Sequence, residues 1–183
     1  LYQLAFESVQ AQVKELLGHV PYISNPANVL ELHAMRISAK RLRYTLEAFD
    51  DLYDGRLKPY LSTVRKMQDQ LGLIHDLDVW IMYVPTFIEE ERARIVGYFG
   101  TDHPLKRLLP GLTAFQNSRQ VMRESAYIEF LGSWSEIEAA KTWEEMMRLL
   151  NTPMDLESAL RLLESVRSAN NPNREIDNPT VAT

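Results

Sequence analysis

The chain has 183 residues, 45% apolar and 25% charged, which is typical of a soluble globular domain and too polar for a membrane protein. It has no cysteine, which excludes disulfide scaffolds, thiolate metal sites and thiol nucleophiles. No uninterrupted apolar run approaches about 18 residues, so we expect no membrane-spanning helix, and the net charge of −5 alone disfavours a polyanionic partner.

Apolar residues recur with helical period along almost the whole chain, and no stretch shows the alternation of a half-buried strand. Gly72 is expected to separate two helices, and Pro85 to kink the later one. Predicted helices cover about 4–20, 27–52, 58–71, 75–94, 105–140 and 154–168. The short connections predict an all-α fold, an antiparallel helical bundle of long helices. We expect a single domain at 1–168, with a first bundle at about 1–99, a second helical part at about 104–168, and a flexible polar tail at 169–183.

The helix predicted at 27–52 carries two distinct faces. One face is apolar and suits burial in a bundle. The other carries basic residues at intervals of three and four positions, here called the basic stripe: His33, Arg36, Lys40 and Arg43. Like charges at this spacing repel, so the stripe requires a counter-charge, either from carboxylates or from an anionic ligand. An ordinary solvated face neutralised by Glu47, Asp50 and Asp51 is the alternative.

A linear anion with repeated phosphates suits this stripe, because arginine, lysine and protonated histidine all donate charge-assisted hydrogen bonds. The Tyr44 hydroxyl adjoins the stripe. Further basic residues extend the candidate surface if their helices pack alongside: Lys58, Arg65, Lys66, Arg119 and Arg123. Nucleic acid is an unlikely ligand, since an acidic chain without an extended basic surface suits a duplex poorly.

The segment His75-Asp76-Leu77-Asp78 raises a second hypothesis, a metal-dependent phosphohydrolase that uses His33, His75, Asp76 and Asp78, with Glu47 as base. A single His-Asp pair is a weak motif, however. The plainer interpretation is that Asp76 caps a helix and that Asp78 pairs with a basic residue of a neighbouring helix. No phosphate-binding glycine loop or serine nucleophile motif occurs, and we expect neither catalysis nor a cofactor.

Two segments resemble the CHAD family, the conserved histidine α-helical domains. The run 32–49, LHAMRISAKRLRYTLEAF, is similar to the family signature, and 70–79, QLGLIHDLDV, is similar to its second recurrent motif. The resemblance implies a helical-bundle fold that binds inorganic polyphosphate in a basic cavity, in a non-catalytic targeting or accessory role. A cytoplasmic location is expected because no signal peptide occurs, and association with polyphosphate granules is expected from the resemblance. The matching positions are His33, Arg36, Lys40, Arg41 and Arg43.

One departure from the family concerns the number of motif copies. Family members commonly carry two copies of the His-x-x-Arg helix, whereas this chain shows one. The cavity is then half-lined, completed by Arg119 and Arg123, completed by a second subunit in a homodimer, or no longer functional. A third hypothesis is a protein-interaction module whose basic stripe docks an acidic partner.

Overall fold

The computed structural model describes residues 1–152. Its α-helices are α1 (Tyr2–Leu17), α2 (Val29–Phe49), α3 (Lys58–Phe99), α4 (His103–Lys106), α5 (Leu109–Ala139) and α6 (Thr142–Leu150). No strand occurs among these residues, and the all-α prediction is confirmed. Residues 1–151 form one compact unit. The helix predicted at 154–168 and the tail at 169–183 lie outside the described residues.

Neighbouring helices run antiparallel, as the order of their side-chain contacts establishes. Along α2 and α3, and again along α3 and α5, rising residue numbers on one helix meet falling numbers on the other. The contacts are His33 with His75 and Glu47 with Arg65 between α2 and α3, and Gln70 with Ser133 and Ile81 with Gln116 between α3 and α5. Helix α3 therefore packs against α2 on one side and α5 on another.

The core of the bundle is formed by apolar side chains of α1, α2, α3, α5 and α6. Tyr53 lies at its base, fully buried in the short turn after α2. Its hydroxyl donates a hydrogen bond to the Leu150 carbonyl at 2.9 Å, which satisfies the only polar atom of the ring. This contact joins the α2–α3 turn to the end of α6.

Helix α3 is continuous, although the sequence predicted two helices separated by Gly72. A Cβ atom at Gly72 would lie 3.8 Å from Nε of Arg36, so the glycine lies beside a side chain of the basic stripe. A single helical glycine costs only about 1 kcal/mol, which tertiary packing overcomes. Because Asp76 lies within α3, the prediction that it caps a helix is wrong.

Pro85 lies inside α3 without ending it. Proline has no N–H, so the carbonyl of Ile81, four residues earlier, lacks its usual helical donor. Gln116 of α5 donates to this carbonyl from Nε2 at 3.4 Å. A neighbouring helix thus supplies a substitute donor.

Residues 79–122 form an arm that extends beyond α2. His33 lies opposite His75, and α2 begins at Val29, so the residues of α3 beyond about 79 have passed the start of α2. Helices α4 and α5 are their packing partners there. The arm is therefore a helical hairpin with long stretches of exposed surface.

Helix α3 is long and apolar enough, by length and composition alone, to cross a membrane. One 18-residue window of it has a mean hydropathy of 1.3, and 28% of that window is buried. Isolated polar residues divide this window, so it contains no uninterrupted apolar run of spanning length. Core helices of soluble proteins pass the same test, so this property alone does not assign a membrane location.

Candidate functional site

The centre of the candidate site is a contact between two histidines. His33 of α2 and His75 of α3 approach with their Nδ1 atoms 3.1 Å apart, and their ring centroids are 4.1 Å apart. Burial lowers the pKa of His33 below its usual value of 6.5, and the neighbouring His75 and Arg36 lower it further. One nitrogen must donate and the other accept, so the contact requires at least one neutral ring.

Arg36 and Lys40 continue the basic stripe along α2. Arg36 is half-buried beside Gly72, and Lys40 is exposed. Neither residue forms an ion pair with any side chain of residues 1–152. Two adjacent positive charges on one helix face therefore have no internal counter-charge in the part of the chain that the structure describes.

Arg43 is only partly neutralised at the far end of the stripe. Its Nη1 lies 3.4 Å from Oε1 of Glu47, and the same oxygen lies 3.4 Å from Nη2 of Arg65 on α3. The Arg43 guanidinium stacks over the ring of Tyr44 at 4.5 Å, and its buried Nε finds no acceptor within residues 1–152. One carboxylate thus pairs with two arginines, and the Nε–H of Arg43 lacks an acceptor.

The structure brings Arg65 to the stripe and places the two lysines of α3 apart from it. Lys58, at the start of α3, folds over the preceding turn, with Nζ 3.1 Å from the position of a Cβ on Gly55. Lys66 lines a separate cavity of about 270 Å³ between α3, α5 and α6, together with Gln70 and Ser133. The predicted bank of three residues is therefore reduced to Arg65 at the stripe itself.

Arg41 points toward α1 and not toward the stripe. Its Nη1 lies 2.7 Å from Oε1 of Glu15, a carboxylate that also accepts a hydrogen bond from Ser38 at 3.0 Å. The next residue along a helix lies about 100° around the axis, so Arg41 cannot share a narrow face with Lys40. Arg41 thus lies apart from the basic stripe, and its place among the ligand-binding residues stays a prediction.

Arg123 is a structural residue and not a free ligand for phosphate. Its Nε lies 2.9 Å from Oδ1 of Asp78, and its Nη2 donates to the Pro26 carbonyl at 2.6 Å. Both charged side chains are nearly buried, at 10% exposure each. The prediction that Asp78 pairs with a basic residue of a neighbouring helix is confirmed, and the structure places Arg123 in that pair, apart from the basic stripe.

Arg119 lies on α5 within the arm, away from α2. Its guanidinium stacks over Phe115 at 4.6 Å, and its Nε is buried without a hydrogen-bond partner among residues 1–152. The expectation that α5 would extend the basic stripe assumed that α5 packs across α2. Instead, α5 packs principally on α3.

The donor set for a metal ion is incomplete within the described residues. Among residues 1–152, no three histidine or acidic side chains come together as ligands. Asp78 in particular is held by Arg123 on the α5 side of α3. The arrangement suits the binding of an anion by several donors better than coordination of a cation.

His75 is the site residue that the predicted binding set omitted. His75 enters the sequence-based expectations only as a candidate metal ligand. A usable signal was present, because His33 and His75 belong to the two motifs that resemble one family. Their contact depends on the antiparallel register of α2 and α3, which residue spacing alone does not give.

Comparison with known proteins gives one match. Residues 1–84 match the model of the CHAD domain family. This segment contains α1, α2 and the first part of α3, and with them the whole basic stripe. No curated protein and no solved structure matches the chain.

Proposed function

Because residues 1–84 of this chain belong to the CHAD domain family, we propose that the protein binds inorganic polyphosphate along the basic stripe of α2. The binding site comprises His33, Arg36, Lys40 and Arg43, with Arg65 at one end and His75 at the other. The role is binding without catalysis, in targeting or as an accessory to other proteins. A cytoplasmic location at polyphosphate granules is part of the same proposal.

The observation that carries this proposal is the uncompensated charge of the stripe. Arg36 and Lys40 have no ion-pair partner in residues 1–152, and Arg43 shares its single carboxylate with Arg65. Like charges one helical turn apart repel each other, which destabilises the folded protein by a few tenths of a kcal/mol per pair. A bound polyanion converts that repulsion into attraction.

Each residue of the stripe has a distinct task in this proposal. Arg36 offers a planar fork of donors that fits two oxygens of one phosphoryl group, and Lys40 offers a compact charge to the next. Arg43 contributes its guanidinium, whose carboxylate partner Glu47 is shared with Arg65. The residues from His33 to Arg43 extend about 15 Å along the helix axis, so a linear anion contacts several of them together.

The partner-docking hypothesis uses the same stripe with an acidic helix as the ligand. Polyphosphate is favoured because each phosphoryl group offers several oxygens to the donor fork of an arginine, and because residues 1–84 match the CHAD family model. The phosphohydrolase hypothesis is less well supported, since Asp78 is committed to Arg123.

Calorimetric titration of the full chain with long-chain polyphosphate, at two salt concentrations, tests the proposal. We expect binding that weakens with salt, and an affinity at least about 100-fold lower in the Arg36→Glu, Lys40→Glu double variant, because each of the two charge-assisted contacts contributes roughly 1.5–3 kcal/mol. The salt dependence should fall by about one unit of slope per basic residue removed.

A matched control makes the same change in charge away from the stripe. Lys14 and Lys141 are exposed residues of the same compact unit, and the Lys14→Glu, Lys141→Glu variant should bind nearly as tightly as the parent. Equal losses in both double variants would mean that net charge alone drives binding. An acidic helical peptide that binds the parent when polyphosphate does not would replace this proposal with partner docking.

A further inference from the structure

The arm carries an apolar groove between α3 and α5. Two adjoining cavities of about 400 and 290 Å³ share Phe87 and Leu112 as lining residues. Together they form one continuous trough, lined chiefly by Trp80, Tyr83, Phe87, Leu108, Leu112 and Phe115. A trough of this kind suits an apolar helix face and leaves polar ligands without partners.

An apolar ridge lies beside this groove on α3. Val79 and Met82 are 50% and 69% exposed, and Tyr83, at the edge of the groove, is 48% exposed, which is unusual for large apolar side chains on neighbouring turns. A single hairpin of two helices has no third element against which to bury such a ridge. The same hairpin thus presents both an apolar ridge and an apolar trough.

We propose that this arm is a self-association surface, on which the arm of a second copy packs to close a four-helix arrangement. An interface about a twofold axis requires one surface that is complementary to itself, and a ridge adjacent to a trough meets that requirement. Each ridge then fills the groove of the other copy.

The exposed area on the arm is sufficient for a stable dimer. Four aromatic side chains of the arm, Trp80, Tyr83, Tyr98 and Phe99, are between 46% and 83% exposed. With side-chain areas of roughly 150–250 Å² each, they contribute about 450 Å². Val79, Met82, Leu108, Val121 and Met122 add further exposed apolar area toward the roughly 800 Å² per partner of a standard interface.

The charges of the arm favour a protein surface over a lipid surface. The α5 stretch 108–118, LLPGLTAFQNS, has no charged residue, whereas helices that lie on anionic lipid carry lysine or arginine beside their apolar face. On α3, Glu89 pairs with Arg92 and Glu91 pairs with Arg94, so the stretch 89–94 carries no excess of positive charge for anionic lipid. A second copy requires no such positive charge at the uncharged α5 face.

The groove and the basic stripe lie on the same side of α3. Trp80, Asp76 and Gly72 follow one another at four-residue intervals, and Gly72 lies beside Arg36. A partner arm in the groove therefore comes within about two helical turns of the stripe and provides a second wall for the anion site. This consequence rests on the proposed function, whereas self-association itself does not.

Sedimentation equilibrium of the full chain without polyphosphate tests self-association directly. We expect a concentration-dependent dimer, weakened at least about tenfold by Phe87→Glu or Leu112→Glu, because each buries a charge in an apolar contact. Ile128→Glu is the control, since Ile128 is 68% exposed on α5 outside the groove. A chain that stays monomeric at every concentration would overturn the proposal.

Chemical cross-linking gives a second readout that does not depend on disruptive variants. The chain has no cysteine, so Met82→Cys introduces a unique thiol on the ridge, and Ile128→Cys provides the control. A short bismaleimide should join two copies of the first variant and not of the second. Equal cross-linking of both, or flotation of a monomeric chain with phosphatidylcholine–phosphatidylglycerol vesicles, would contradict a self-association surface.

Discussion

The Nδ1 atoms of His33 and His75 lie 3.1 Å apart across the interface between α2 and α3. This contact tolerates one protonated ring but not two, because two imidazolium rings have no acceptor between them. Arg36 is a further positive charge beside the pair. Protonation at this point therefore opposes folding and, in the proposed function, assists binding of an anion.

The stability of the protein should fall with acidification because of His33. Burial, His75 and Arg36 lower its pKa in the folded state below 6.5, so between that lowered pKa and 6.5 the unfolded chain holds more protons. The contribution of neutral His33 to the free energy of unfolding is fully present above pH 6.5 and is lost as the pH falls through this window. Polyphosphate favours the protonated ring, so its affinity should rise over the same window, with uptake of protons.

Urea denaturation and calorimetry between pH 7 and pH 5, in buffers of different ionisation enthalpy, measure the two trends. His33→Gln should flatten both curves, whereas His103→Gln, at an exposed position on α4, should leave them unchanged. An affinity that is independent of pH in the parent would remove His33 from the binding site.

Asp78 and Arg123 form a buried ion pair whose disruption should be costly. Arg123→Ala leaves an uncompensated carboxylate and frees the Pro26 carbonyl, and we expect a loss of about 3–5 kcal/mol in the free energy of unfolding. The Asp78→Leu, Arg123→Met double variant should recover much of this loss, since it leaves no unpaired charge. Urea denaturation of the three proteins measures the coupling.

Arg92 and Glu89 provide a comparison for that ion pair. Their side chains are 39% and 68% exposed, so Arg92→Ala should change the free energy of unfolding by less than about 1 kcal/mol. Similar losses for Arg92→Ala and Arg123→Ala would mean that burial does not set the cost of breaking the Asp78 pair.

Gly72→Ala should stabilise the protein without weakening the proposed binding site. The residue lies in the middle of α3 with helical geometry, and a Cβ atom there would meet Arg36 Nε at 3.8 Å, an ordinary van der Waals contact. The gain from glycine to alanine in a helix is about 0.5–1 kcal/mol. Gly97→Ala is the matched control, because a Cβ at that position meets nothing within 4 Å.

Thermal unfolding and polyphosphate titration show whether Gly72 only lowers the stability of α3 or also leaves space that Arg36 needs. If Gly72→Ala stabilises as much as Gly97→Ala and binding is unchanged, the glycine gives Arg36 no essential space. Weaker polyphosphate binding by Gly72→Ala alone would show that Arg36 needs the open surface of the glycine.

The sequence predicted the all-α fold and the basic stripe because both depend on local periodicity. The apolar and basic faces of α2 follow from residue spacing on one helix, and the Asp78 pair follows from the cost of burying a lone carboxylate. The continuity of α3 at Gly72 did not follow, since packing outweighs the propensity of one residue. The contact of His33 with His75 and the separation of Arg119 from the stripe depend on interhelical register, which local patterns do not encode.

Glu47 is the carboxylate that competes with the proposed ligand, and its removal should strengthen binding. Its Oε1 lies 3.4 Å from both Arg43 and Arg65, and its side chain is 36% exposed. Glu47→Gln releases two guanidinium groups to the anion at a stability cost of no more than about 1 kcal/mol, because partly exposed ion pairs contribute little. Polyphosphate affinity should rise about two- to tenfold, which corresponds to the small free energy of the two ion pairs that are removed.

The control for Glu47→Gln is Glu124→Gln, which removes an exposed carboxylate from α5, away from the stripe. Calorimetric titrations of both variants at one salt concentration distinguish a local effect from the change in net charge. Equal gains would assign the improvement to net charge. A loss of affinity in Glu47→Gln alone would mean that the carboxylate holds Arg43 and Arg65 in the geometry that binds the anion, so that preorganisation outweighs competition at this end of the stripe.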